Sequence, residues 1–297
     1  MTFNDNARIN TKNVSKRSGG RGRTGLKLGG SSLLVIGLLF LGSNLLGINL
    51  MPFADVANDV INQQTSQSSS QLEACATGAD ANTNDECRMA GAADSLDQYW
   101  ETQLDDYRSP SLVLFDGHTQ TQCGSASTQI GPFYCPPEEG IYVDTDFFAM
   151  LSTEYGASTG SLAQMYVLAH EWGHHMSKLL GQLDLANADR STGAASGSVR
   201  LELQADCFAG AWVQNASKAH DDAGVPLLKP VTQTELSDAL SAAAAVGDDN
   251  LMESAGMQVN PDRFTHGTSE QRQKWFETGY QEGPTSCATF DVPAAQL

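Results

Sequence analysis

A mainly helical α+β domain with a small antiparallel-edged sheet, following an N-terminal transmembrane helix, is the architecture that the 297-residue sequence predicts. Three observations carry it. Residues 31–51, "SSLLVIGLLFLGSNLLGINLM", are 21 residues long and lie inside a stretch from Leu28 to Ala54 without any charge; such a run can cross a bilayer's hydrocarbon core as a helix. Beyond it, apolar residues recur at helical spacing in several long segments. Only "SLVLFD" (111–116) and "GIYVD" (140–144) are β-rich, with Gly and Pro between them, and they read as neighbouring strands of a small sheet.

In chain order, residues 1–30 form a basic tail rich in Gly, Ser and Asn, expected to be disordered and cytoplasmic. Residues 31–51 are the membrane span, 52–71 a flexible linker of low complexity, and 72–297 the folded domain. Residues 1–27 hold seven bases and one acid, Asp5. Bases before the span put the N-terminus in the cytoplasm and the domain outside, on a single-pass anchor in the cell membrane. A cleavable signal peptide is the other reading of the apolar run; the long basic region and the poor cleavage signal "FADVA" (53–57) favour an uncleaved anchor, although Asn44 and Asn49 weaken the span.

Within the domain, "RMAGAADSLDQYWETQLDDY" (88–107) has helical spacing. "SLAQMYVLAHEWGHHMSKLLG" (161–181) has the clearest helix grammar: Ser161 and Gln164 fit a capping box, Lys178 the last turn, and Gly181 the position after the end. A second helix spans 198–219. A third, 231–246, opens with a capping box of Thr232 and Glu235, and a last begins near Thr268.

Charge and cysteines bound the function. After residue 27 the chain has 10 bases against 34 acids, a balance that repels phosphate and argues against a nucleic-acid partner. The six cysteines include no C-x-x-C pair. In an oxidising compartment they read as three disulfides: Cys75 with Cys87, Cys123 with Cys135, and by elimination Cys207 with Cys287. Buried free thiols are the alternative.

"AHEWGHHMSKLLG" (169–181) contains His170, Glu171 and His174 in the pattern H-E-x-x-H. Residues i and i+4 share one helix face, so two imidazoles can hold one Zn²⁺ while Glu171 points to the open side as a base. A catalytic zinc usually has three protein ligands and one water. The third-histidine route is closed, because Ser177 and Leu180 stand where H-E-x-x-H-x-x-G-x-x-H would place Gly and His. "LELQADCFAG" (201–210) offers Glu202 as third ligand, and Asp206, again four residues on, to accept the second ring N–H of a ligating histidine.

H-E-x-G-H-H followed by E-L-Q-A-D-C-x-A-G resembles the bacterial neutral zinc metallopeptidase family, whose members are mostly membrane-anchored. "YCPPEEGIYVDTDFF" (134–148), "AAAAVGDDNL" (242–251) and "FTHGTSEQRQKWF" (264–276) extend the resemblance, in order, over residues 72–287. The H-E-x-x-H and E-x-x-x-D elements are also similar to those of the HtpX-like and CAAX-prenyl membrane proteases. The resemblance implies a zincin-like fold, Glu202 as third zinc ligand, and a peptide or protein substrate hydrolysed by metal-activated water.

Among other residues, His175 lies about 100° round the helix from His174 and is expected to make a local hydrogen bond. Trp172 and Phe208 read as core, and Gly173 as a point of close helix approach. His266 is a candidate catalytic donor for the developing oxyanion, or else a cap for the final helix. Arg272 reads as structural, Asp248 and Asp249 as a helix N-terminus, and His118 and His220 carry no function. The competing class is a non-catalytic envelope protein that uses zinc to hold its fold; two His and one Glu with a base beside them favour the catalyst over such a structural site.

Overall fold

The computed structural model describes residues 1–17, 69–70, 72 and 75–297. Its strands are β1 (Val14–Arg17), β2 (Ser69–Ser70), β3 (Ser111–Phe115), β4 (His118–Thr121), β5 (Gly124–Ser127), β6 (Phe133–Cys135) and β7 (Gly140–Val143). Five of them form one sheet in the order β2-β1-β3-β7-β6, and β4 and β5 pair as a separate hairpin. β1, β3 and β7 run parallel, with Leu112 opposite Ile141 and Leu114 opposite Val143; β2 and β6 are the antiparallel edges. Parallel strands are covered on both faces, which is why Leu112–Phe115 and Ile141–Val143 are unbroken buried runs. The two β-rich stretches are thus direct neighbours, as expected.

The described residues also form nine α-helices, of which α2 and α4 pack on the sheet: α1 (Gly78–Thr83), α2 (Asp85–Glu101), α3 (Asp146–Tyr155), α4 (Ser161–Leu179), α5 (Gln182–Ala188), α6 (Gly197–Asn215), α7 (Gln233–Ala245), α8 (Asp248–Ser254) and α9 (Ser269–Glu282). Helix content dominates and the fold is α+β. α6 is the central helix, packed against α4 on one side and α9 on another. Both contacts need glycine. A Cβ on Gly173 of α4 would lie 2.7 Å from Ala205 Cα of α6, and one on Gly279 of α9 would lie 1.8 Å from Cys207 O. The first confirms the packing role read for Gly173.

Helix ends follow the sequence in most places. Thr232 with Glu235, and Thr268 with Gln271, form capping boxes, and Gly181 takes a left-handed φ of 74° after α4. The box expected from Ser161 and Gln164 does not form. Gly160 is the N-cap, so Ser161 is already inside the helix, and Gln164 Oε1 instead accepts from Arg88 Nη1 at 2.6 Å. Asp238 fixes that entry point: it packs so close to Gly160 that a Cβ there would be 2.1 Å from Asp238 Oδ2. All three disulfides are present as read: Cys75–Cys87, Cys123–Cys135 and Cys207–Cys287.

The N-terminal segment corrects the sequence reading. Residues 1–17 were expected in a disordered cytoplasmic tail, outside a domain beginning at 72. Instead Met1, Phe3, Ala7 and Val14 are buried in the main core, and β1 is an inner strand of the sheet. Four widely spaced apolar anchors supply the burial, and Lys16 and Arg17, two of the bases that suggested a tail, find partners on the domain. Lys16 Nζ is 2.6 Å from Glu86 Oε1 and 3.4 Å from Asp116 Oδ1, while the Arg17 guanidinium sits 5.3 Å over the Tyr142 ring. Segments that share a core lie on the same side of any membrane, so a cytoplasmic residue 1–17 opposite an extracytoplasmic 75–297 is not compatible with this packing. The expected span, 31–51, lies outside the described residues; among those described, no helix is long and apolar enough to cross a membrane.

Phe3 has no exposure and packs on Gly91 of α2. Phe3→Ala is expected to lower the unfolding free energy by about 3–5 kcal/mol, the usual range for truncating a buried aromatic. Denaturant unfolding measures it. An unchanged midpoint would return the segment to a loose tail.

Candidate metal centre

α4 and α6 cross where Gly173 meets Ala205, and this approach brings the ends of their polar side chains together. His170 Nε2 lies 3.1 Å from Glu202 Oε2, and His174 Nε2 lies 3.5 Å from Glu202 Oε1. One donor atom from each of His170, His174 and Glu202 falls within 4.8 Å of the others. Two imidazoles and a carboxylate with no cysteine suit Zn²⁺, and three donors leave a coordination place for water.

Behind this trio stands a buried polar network. Asp206 Oδ1 is 2.8 Å from His170 Nδ1, the contact read from the sequence, so Nδ1–H donates to the carboxylate and Nε2 is turned toward Glu202. The Asp206 carboxylate also takes the Arg272 guanidinium of α9 on both oxygens, Nε at 2.8 Å and Nη2 at 2.9 Å, and accepts the Tyr166 hydroxyl. Asp206 and Arg272 are essentially inaccessible to solvent. Burial alone would raise the Asp206 pKa, yet Arg272 and His170 hold it below the ordinary carboxylate range. Burial likewise opposes charge on His170, but Asp206 and the Glu202 hydrogen bond lift its pKa to about 10.

Glu171 is different. Its carboxyl is buried at the same end of the cleft, where desolvation, reinforced by the Glu202 charge, raises its pKa to about 8; the Tyr134 backbone N–H of β6 donates to it. No arginine or lysine pairs with it among the described contacts. Facing the trio from the α8–α9 connection is His266, with Nδ1 3.1 Å from Asp248 Oδ1 and 2.8 Å from Thr265 Oγ1. Asp248 Oδ2 in turn accepts the backbone N–H groups of Thr265, His266 and Gly267 at 2.7, 2.7 and 3.0 Å. Against its burial, Asp248 and Glu202 raise the His266 pKa and favour the imidazolium.

His170, Glu171, His174, Glu202 and His266 line one cleft of about 520 Å³, with Asp206 and Asp248 behind its wall. The structure therefore brings together His170, Glu171, His174, Glu202, Asp206 and His266. It keeps the others apart. His175 bonds the Arg108 carbonyl at 2.7 Å and the Tyr134 hydroxyl at 3.0 Å, Trp172 is core with Nε1 on the Tyr107 hydroxyl, Phe208 packs on Trp100, and His118 and His220 are exposed. Three residues were undervalued in the sequence. Arg272 holds Asp206, and Asp248 orients His266 besides starting α8. Tyr166 precedes His170 by four residues, a spacing that marked it for the same helix face.

The family profile described as "Putative neutral zinc metallopeptidase" matches residues 3–290. Similar chains include the "Uncharacterized protein Rv2575" of Mycobacterium tuberculosis, 48% identical over 223 residues, which are 74% of this chain and 76% of that protein. The "Uncharacterized protein YpfJ" of Escherichia coli is 40% identical over 210 residues, covering 68% of this chain and 69% of that one. No solved structure matches. The profile begins at residue 3, in line with the packing of residues 1–17 into the domain.

Proposed function

From the chain's membership of the neutral zinc metallopeptidase family, we propose that it is a zinc-dependent endopeptidase, with His170, His174 and Glu202 holding the ion and Glu171 as general base. The observation that carries the reading is a buried, ion-pair-free carboxyl beside a donor set of three. A structural zinc normally closes its shell with four protein ligands and has no use for such a group.

When bound, zinc lowers the pKa of a coordinated water and polarises the scissile carbonyl. The chain's own residues do the rest. Glu171 takes a proton from the attacking water and returns it to the leaving amine. His266, biased toward the imidazolium by Asp248 and Glu202 and aimed by Asp248, donates to the oxygen that gains negative charge. Asp206 fixes the His170 tautomer, and Arg272 with Tyr166 fixes Asp206. β6 ends the described sheet and lines the cleft through Phe133 and Tyr134, which puts a sheet edge where an extended peptide backbone can lie and favours peptides over other hydrolysable substrates. The disulfides favour an oxidising, extracytoplasmic compartment.

The test is hydrolysis of an unfolded protein by the purified chain. Activity should vanish with a chelator and return with about one zinc per chain. Stoichiometric zinc without hydrolysis would instead support the non-catalytic scaffold.

A further inference from the structure

The cleft carries its charge in one place. The titratable acids and bases of its lining are His170, Glu171, His174, Glu202, His266 and Arg272, all of them belonging to the metal centre or its supports. The remaining walls are uncharged, in a chain whose formal charge is −18. Its apolar lining includes Phe147 and Leu151 of α3, Leu251 of α8, Ile130, Pro137 and, from α5, Leu183. Such walls take up an apolar side chain by removing its surface from water, and they offer an incoming carboxylate or ammonium group no partner for its lost hydration.

We infer that the substrates are extended polypeptide segments bearing a bulky, uncharged apolar residue beside the scissile bond, seated against Phe147, Leu151 and Leu251. This rests on the peptidase reading and narrows it. Folded surfaces present such segments rarely, so the selection acts on conformation as well as on residue type.

The experiment uses the full chain loaded with zinc and a peptide series varied at one residue, Leu, Phe, Ala, Asp or Lys. Wild type supplies hydrolysis rates and cleavage positions; zinc-loaded Glu171→Gln supplies dissociation constants without turnover. Leu and Phe peptides should be cleaved and bound at least about tenfold better than Asp or Lys peptides, the scale of discrimination expected in an apolar pocket. Leu251→Glu should shift the preference toward Lys. Because Leu251 is nearly buried, Leu183→Glu, at a half-buried position of the same lining, serves as a second variant, with zinc content as the check on folding. Hydrolysis with no preference, or with a preference for charged residues, would overturn the inference and leave the peptidase standing. Hydrolysis of no peptide at all would overturn both.

Discussion

Glu171→Gln should retain its zinc and lose turnover by a factor of about 10²–10⁴, the range for removing a positioned acid–base group. Gln has the same shape and a comparable helix propensity, so α4 should form unchanged. The carboxyl lies beside the His170–His174–Glu202 trio without belonging to it, and so zinc occupancy should not fall. The comparison is made at equal zinc content on an unfolded protein substrate; equal rates would remove Glu171 from the chemistry. The same variant reports on pH. The Glu171 pKa is raised from the ordinary 4.5 to about 8, chiefly by burial. The folded metal-free protein therefore binds this proton more tightly than the unfolded chain. Its stabilising contribution is complete below pH 4.5 and is lost as pH rises through 8. Relative to Glu171→Gln, metal-free wild type should lose stability between pH 5 and 8, as read in parallel unfolding curves.

Arg272→Met should be the most damaging change away from the donor set. The guanidinium and the Asp206 carboxylate are both out of solvent, and removing one member of a buried pair strands the other at a cost of about 3–5 kcal/mol. The effect should reach the metal, since Asp206 orients His170. Zinc affinity is expected to fall about 10–100-fold, as for the loss of other ligand-orienting partners. Arg272→Lys, which keeps the charge but not the two-pronged contact, should recover part of the stability and less of the affinity. Lost stability with intact zinc affinity would reduce Arg272 to a packing role.

The metal centre was legible because its spacing is local. His170 to His174 and Glu202 to Asp206 each obey the four-residue helical step, and a stretch of 21 residues suffices to read either helix. Residues joined across the fold were harder. Arg272 reaches Asp206 over 66 positions and Asp248 reaches His266 over 18, and no periodicity links such pairs; each reads alone as an ordinary helix residue. The N-terminus misled for another reason. Charge counting weighs every base equally, whereas burial there is decided by Phe3, Ala7 and Val14, spaced too widely to form a pattern. The chain also enters the sheet through a four-residue strand, β1, whose Val14-Ser15-Lys16-Arg17 has one apolar member. Its pairing with β3 comes from the partner strand's appetite for hydrogen bonds.

The docking of the first residues sets a timetable for folding. The Asn4 N–H bonds the Leu227 carbonyl and the Lys229 N–H bonds the Thr2 carbonyl, so residues 2–4 are synthesised about 220 residues before the backbone that receives them. Contacts of such sequence separation close late and slowly, because the loop entropy must be met first. A ribosome-bound chain must leave the backbone of residues 2–4 unpaired on this side until the segment beyond α6 has emerged, although β1 can already pair with β3. A nascent chain halted before residue 229 should therefore expose its first four residues to protease.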